Sequence, residues 1–280
     1  MRMANCAFWG AILTLAVFGL DGLGQDIEVC RQYHPWGEFQ PGAWKLVRVF
    51  TETLDEDGLV TGTSTSETRT TLLQMDDRGI TLEVATTVEV AGKRFEAESQ
   101  TVDQGFWGQT ETQTLRPGKV SPTRITVGEQ TVACQVRELE IIGSSTRTTS
   151  KVFFSADVQP HVLRRESVTT TLDGNEKLGE TTIEVIALDM PFRVLSEIQP
   201  SAHVRSVNRH PKGVVFTLAV TSGTVPGGVV SHWSKEMDRT GRIVRRSTLE
   251  LIDYGLEGGQ VRTGLFGRPR PRRGLRPPNP

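Results

Sequence analysis

Ile80-Thr81-Leu82-Glu83-Val84-Ala85-Thr86-Thr87-Val88-Glu89-Val90 decides the fold class of this chain. Ile80, Leu82, Val84, Val88 and Val90 share one parity with Thr86, while Thr81, Glu83, Thr87 and Glu89 take the other. Successive side chains of a strand point to opposite faces, so this alternation describes a strand with one buried and one wet face. A helix would need its apolar residues three and four apart.

On either side of this strand the chain is punctuated by turn chemistry: Asp55-Glu56-Asp57-Gly58, Asp76-Asp77-Arg78-Gly79, Ala91-Gly92, Asp173-Gly174-Asn175 and Asp238-Arg239-Thr240-Gly241. Glycine tolerates positive φ and aspartate caps a turn through its carboxylate, so each cluster between β-branched runs marks a hairpin. The strands so delimited are Trp44–Leu54, Leu59–Met75, Ile80–Val90, Arg94–Val102, Ile125–Val127, Thr131–Ile142, Thr148–Phe154, Val162–Leu172, Lys177–Leu188, Val214–Thr221, Val229–Met237 and Arg242–Tyr254. Connections this short pair sequence neighbours antiparallel. The only helical candidate, Arg193–Ile198, is one turn long and runs into Pro200. The expected fold is all-β with little helix: a large curved antiparallel meander sheet, an open or half barrel. Two packed halves, 44–190 and 191–256, joined near Pro191–Pro211, are the alternative. Only 36% of residues are hydrophobic and 6% aromatic, which suits a thin sheet better than a thick globular core.

The two ends of the chain read differently. Arg2 precedes an uncharged run from Cys6 to Leu20, shorter than the ~18–20 residues that cross a bilayer, and Asp21 follows at once. With Gly22-Leu23-Gly24 before Gln25, residues 1–24 read as a cleaved signal peptide rather than an anchor, which predicts a periplasmic or secreted protein. At the other end, Val261 to Pro280 holds six arginines, five prolines and no acid, so 257–280 reads as a disordered basic tail. Net charge is −1, which leaves the body acidic. The tail suits an anionic envelope surface, or it is simply a solvated terminus. The exported, acidic body argues against nucleic acid.

Cleavage would leave Cys30 and Cys134 in an oxidising compartment. A disulfide between them would add about 4–5 kcal/mol by loop closure; two unpaired thiols, with Cys134 buried in a strand, are the alternative.

Catalytic signatures are absent: no Gly-x-Ser-x-Gly elbow, no His-Glu-x-x-His, no P-loop and no dinucleotide fingerprint. His34, His161, His203, His210 and His232 do not fall at metal-ligand spacing, so no metal or cofactor is expected. His232 and Glu236, four apart on a strand, would share a face about 13 Å apart. Tyr33, His34, Trp36, Phe39 and Trp44 crowd the segment 25–43 and its border, among Pro35, Gly37, Pro41 and Gly42. These rings either plug one end of the sheet or line the mouth of an apolar pocket. A partial echo links Phe154-Ser155-Ala156-Asp157 and Val162-Leu163-Arg164-Arg165 with Trp233-Ser234-Lys235-Glu236 and Ile243-Val244-Arg245-Arg246, as one hairpin design used twice or by chance.

Pro35-Trp36-Gly37-x-Phe39-x-Pro41-Gly42-x-Trp44-Lys45 and Val225-Pro226-Gly227-Gly228-Val229 resemble stretches of uncharacterised exported bacterial proteins, across most of the mature chain. That resemblance implies no activity. A signal peptide followed by a long meander is also similar to the envelope lipoprotein-carrier group, as are the hairpin stretches at Phe154 and Trp233. Such carriers curve an unclosed sheet around an apolar cavity for acyl chains and close it with helices, which have no counterpart here. The resemblance implies a non-catalytic envelope protein that binds a lipid or lipoprotein acyl chain. Trp36, Phe39, Trp44, Ile80, Leu82, Val84, Val88 and Val90 are the candidate ligand surface. A structural or adhesive surface domain without a cavity is the alternative, and a secreted hydrolase the third. Oligomeric state is not legible in the sequence.

Overall fold

The computed structural model describes residues 31–256; the expected signal peptide, Cys30 and the basic tail lie outside them. Fourteen strands form one antiparallel sheet: β1 (Trp44–Leu54), β2 (Val60–Met75), β3 (Gly79–Val90), β4 (Lys93–Glu96), β5 (Gln100–Gly105), β6 (Thr114–Val127), β7 (Gln130–Ile142), β8 (Thr146–Phe154), β9 (Val162–Thr171), β10 (Lys177–Val194), β11 (Glu197–His210), β12 (Gly213–Thr221), β13 (Val229–Asp238) and β14 (Ile243–Gly255). Among the described residues, helix is confined to 31–33. The expected all-β meander is therefore what forms, and it is one sheet. The boundary proposed at residue 190 falls inside β10, and the segment read as a joint is mostly β11.

Strand order is β4-β3-β2-β1-β14-β13-β12-β11-β10-β9-β8-β7-β6, with β5 sharing the β3 edge beside β4. The first and last strands pair in the middle, with Val49 opposite Leu249 and Arg48 opposite Glu250. The two free edges, β4/β5 and β6, are consecutive in sequence. The sheet is thus a barrel-like meander left unclosed at one seam. Side chains bridge that seam: Phe106 and Trp107, on the β5–β6 connection, pack in one cluster with Leu72, Ile80 and Leu82 on one side and Leu139, Val152 and Phe154 on the other. Contacts across the seam show how strongly the sheet curls, since those strands lie at opposite ends of its order.

The aspartates do what their positions predict. Asp55 Oδ1 accepts from the Asp57 and Leu59 amides at 3.0 and 2.9 Å, and Asp238 Oδ1 accepts from the Thr240 and Arg242 amides at 2.8 and 3.1 Å. The Thr240 hydroxyl, donating to the same Asp238 oxygen at 2.6 Å, and then the Arg242 and Thr240 amides favour the ionised form and pull the Asp238 pKa down to about 2.

The inner face carries two kinds of lining. Near the end holding the 31–43 segment it is apolar. Further along, one register row reads Ser64, Thr51, Ser247, Ser234, Thr217, Ser206 across six neighbouring strands. Thr217 donates to Ser234 at 3.0 Å, and Thr68 with Thr86 and Ser150 with Ser167 make the same kind of cross-strand hydroxyl pair at 3.1 and 2.8 Å. Paired hydroxyls can be enclosed without large loss, which is how a chain so poor in aliphatics still lines an interior.

The apolar face expected of 80–90 is partly realised. Ile80 and Leu82 are buried; Val84, Val88 and Val90 are only half-buried, opposite Thr70, Ser66 and Ser64 of β2. Thr87, assigned by parity to the wet face, is fully buried instead. It lies opposite Glu67, itself 1% exposed, whose Oε1 receives the Arg48 Nε and Nη2 at 2.8 and 2.7 Å. A two-pronged ion pair on the outer face thus screens a carboxylate that parity would leave in water.

Cys134 is a free, buried thiol, and Cys30, the other half of the expected bridge, lies outside the described residues. It packs with Val132, Val127, Leu163, Val185 and Val204, and burial raises its pKa. Beyond Gln135 the β6–β7 hairpin outruns β8 and turns these side chains into the core.

Candidate functional site

A cavity of about 320 Å³ opens between the N-terminal segment and the inner wall formed by β9–β12. Tyr33, His34, Pro35 and Phe39 make one side; Val162 and Arg165 of β9, Ile183 of β10, and Ala202 and Val204 of β11 make the other. The β12–β13 loop closes it with Gly227, Gly228 and Val229. The apolar side chains follow from parity: Ile183, Val185, Val204 and Ala219 lie on the face that turns inward.

The two stretches singled out in the sequence meet here. The Gly227 amide donates to the Pro35 carbonyl at 3.1 Å, and Lys45 Nζ donates to the Gly227 carbonyl at 3.3 Å. Gly227 and Gly228 have φ of 69° and 74°, and a Cβ on Gly227 would stand 2.8 Å from Trp36 Nε1 and from Lys45 Nζ. Both conditions require glycine. Pro35-Trp36-Gly37 and Val225-Pro226-Gly227-Gly228-Val229 therefore form one wall, locked backbone to backbone.

Of the candidate ligand surface, the cavity takes only Phe39. Trp36, Ile80 and Leu82 are consumed by the seam cluster. Trp44 lies on the outer face, with the Arg69 guanidinium 4.1 Å from its ring. Val84, Val88 and Val90 line the inner face away from the cavity. The aromatic segment serves both suggested roles at once: Trp36 plugs, Tyr33 and Phe39 line. Tyr33 packs against Phe154 with tilted rings 4.9 Å apart and meets His161 edge-on at 5.5 Å.

Polar groups are few and placed. His34 is 3% exposed; its Nδ1 accepts from the Trp36 amide at 3.2 Å, and burial lowers its pKa to about 3, so the ring is neutral. His161 Nδ1 lies 3.1 Å from the Ser155 carbonyl, and its Nε2 faces Glu38 at 3.6 Å. Among the described residues, no three His, Cys, Asp or Glu side chains converge to hold a metal. Arg165, half-buried, directs Nε to Ser167 Oγ at 2.8 Å and Nη2 to Ser150 Oγ at 3.4 Å. Gln199 accepts from Thr224 at 2.5 Å and from Ser222 at 3.4 Å, fastening the β10–β11 tip to the β12–β13 loop.

Sequence reading missed the β9–β12 wall because each of its strands contributes one or two aliphatics, none as regular as 80–90. The repeated hairpin is not a structural repeat. Arg245 does meet its cross-strand acid, Glu236, at 2.6 Å, but Arg165 faces Val152. His232 and Glu236 do share the inner face, and His232 is buried with its pKa lowered to about 4.

No protein-family model matches the chain, and no curated protein matches it. Solved structures similar to it include two bacterial proteins. One, from Bacteroides fragilis, is described as an exported protein with a YmcC-like fold, 9% identical over 77% of this chain and 97% of that one, at a TM-score of 0.29. The other, described as a lipoprotein from Parabacteroides distasonis, is 10% identical over the same shares, at a TM-score of 0.30. At those values neither carries an implication for what this chain binds.

Proposed function

We propose that this chain is a non-catalytic exported envelope protein that holds an apolar ligand, a lipid or an acyl chain, in the cavity between its N-terminal segment and the β9–β12 wall. The cavity itself carries this reading. Its volume is at the lower end of ligand sites, about 300–1,000 Å³, and its aliphatic and aromatic lining with a few fixed polar groups is what such sites share. Two other parts of the inner face are packed, by the seam cluster and by Val47, Val194, Val225, Val230 and Leu251. The basic tail, on this reading, keeps the protein near an anionic envelope surface.

Native mass spectrometry of full-length protein purified from a cell envelope without detergent tests it. A co-purifying amphiphile of one chain's size, released by organic solvent, is the expected result. Repeated recovery of bare protein, together with failure to take up added amphiphile, would refute it.

A structural or adhesive role is favoured by a different observation. Phe50, Trp233 and Leu218 lie on the outer face in one register row, 42%, 51% and 37% exposed. If that stripe seats a second protein, Trp233→Ser should abolish self-association in sedimentation while leaving ligand uptake intact.

A further inference from the structure

Ile198 is 75% exposed, more than any other large hydrophobic side chain among the described residues. It stands near the tip of the β10–β11 hairpin, where Arg193 is its cross-strand partner and Pro191 faces Pro200 on the same side. The strand that carries this tip is bent. β10 slips register between Val185 and Ala187 and again between Ala187 and Met190, and such bulges bend and twist a strand. Past the second slip the hairpin leaves its own wall. Phe192 and Val194 join one cluster with Leu251 of β14 and Val47 of β1, strands that lie well away from β10 in the sheet order. One face of the tip is thereby buried, and the other is not. Leu195, at φ 54°, closes the turn in a left-handed conformation that large side chains seldom adopt, and it too is exposed. From 190 to 200 the chain has one cation, Arg193, and one acid, Glu197, which sits opposite Val194 rather than on the side of Ile198.

This tip borders the cavity. Asp189, Pro200 and Ser201 at its base line the cavity, and Gln199 ties it to the β12–β13 loop that closes it. The ladder rows Ala202–Thr221, Thr221–Val229 and Trp44–Gly255 put the base of the tip, that loop and the last residues of β14 at one end of the sheet. At that end Leu256, also exposed, leads on to the arginine-rich sequence 261–280. A protein partner needs about 800 Å² per side, far more than two aliphatic side chains and an arginine on a hairpin tip supply. A bilayer asks less: a few apolar side chains at the acyl boundary and cations at the level of the phosphates.

We propose that the β10–β11 tip docks on an anionic bilayer, with Leu195 and Ile198 entering the acyl boundary and Arg193 meeting lipid phosphates, so that the cavity end of the sheet faces the membrane. Docking stands on the tip itself; its use, loading the cavity from the bilayer, rests on the ligand reading above.

Co-sedimentation of the full-length chain with vesicles of phosphatidylcholine containing about a third phosphatidylglycerol tests the proposal. The comparison is with Leu195→Asn/Ile198→Ser, in which every segment outside the tip is the same. Asparagine tolerates positive φ and the buried face of the tip is untouched, so this variant should fold. Wild-type protein is expected to bind at least tenfold more tightly than the double variant. Arg193→Gln should weaken binding about fivefold on these vesicles and little on phosphatidylcholine alone. All three chains should take up dodecanoate equally. Equal vesicle binding by wild type and the folded double variant, or none by wild type, overturns the docking. Tip-dependent self-association without vesicle binding makes the tip a protein contact and overturns it as well. Tip-dependent vesicle binding without dodecanoate uptake leaves the docking standing and overturns the ligand reading. Should the double variant fail to fold by circular dichroism, Ile198→Ser alone makes the same comparison.

Discussion

Replacing Phe106 with alanine should open the seam of the sheet. Phe106 is 2% exposed and belongs to the cluster that joins β2 and β3 to β7 and β8 where no strand pairing does. Truncating a buried phenylalanine costs about 3–5 kcal/mol through lost transfer energy and the cavity left behind. Its edge-on contact with the His34 ring, centroids 5.9 Å apart, adds about 0.5–1.5 kcal/mol. The expected loss is about 4–6 kcal/mol by urea denaturation. Leu163→Ala is the control: equally buried, but on a strand paired along both edges, with an expected loss of about 2–5 kcal/mol. Because the totals overlap, hydrogen exchange distinguishes the two. Phe106→Ala should raise exchange selectively in Gln100–Gly105 and Thr114–Val127, the edges facing the seam, whereas Leu163→Ala should not. A loss below about 1.5 kcal/mol, or a uniform rise in exchange, would refute the view that side chains close the seam.

Further outcomes follow from buried charge and sulfur. His34 and His232 have folded pKa values of about 3 and about 4, below the unfolded value of about 6.5. The unfolded chain therefore binds protons first, and stability that is complete above about pH 6.5 should fall as pH drops toward 4 and 3. The slope is at most about 1.4 kcal/mol per pH unit per histidine. His34→Asn, which keeps an acceptor for the Trp36 amide, should flatten it; a urea midpoint constant from pH 7 to 5 would contradict this. Lys45 titrates at about 8 when folded, against about 10.5 unfolded, so wild-type stability should rise between those values. Lys45→Met should then be about 1–3 kcal/mol more stable at pH 7, an advantage that shrinks above pH 10, and equal stability at both pH values would count against it. Cys134, buried and free, should resist alkylation in the native protein and label fully in denaturant without reductant. Labelling that requires prior reduction would restore the bond to Cys30.

How far the fold was legible depended on what each segment had to bury. The 80–90 strand declared itself because alternate positions face a core, and the hairpin turns because Asp and Gly have few other reasons to cluster. The strand from Thr114 escaped notice because of Pro117 and Pro122. It is an edge strand, where a missing donor is tolerated. The segment 191–211 read as a joint for a related reason: Pro191 and Pro200 interrupt it, yet they sit opposite each other in the β10–β11 ladder, so the missing donors coincide. Thr87 defied parity beside Glu67, whose carboxylate an arginine from β1 binds, a pairing between strands that no local window contains. The cavity was least legible of all. Its lining is gathered from 32 to 229, and Arg165 was visible only as half of an arginine pair in a hairpin.

The most direct test of the account is a methyl-resolved NMR titration of the delipidated protein with dodecanoate. Shifts should concentrate on Val162, Ile183, Val204 and Val229, while Ile80, Leu82 and Leu139 stay still. Shifts confined to Val84, Val88 and Val90, or none at saturating ligand, would contradict it.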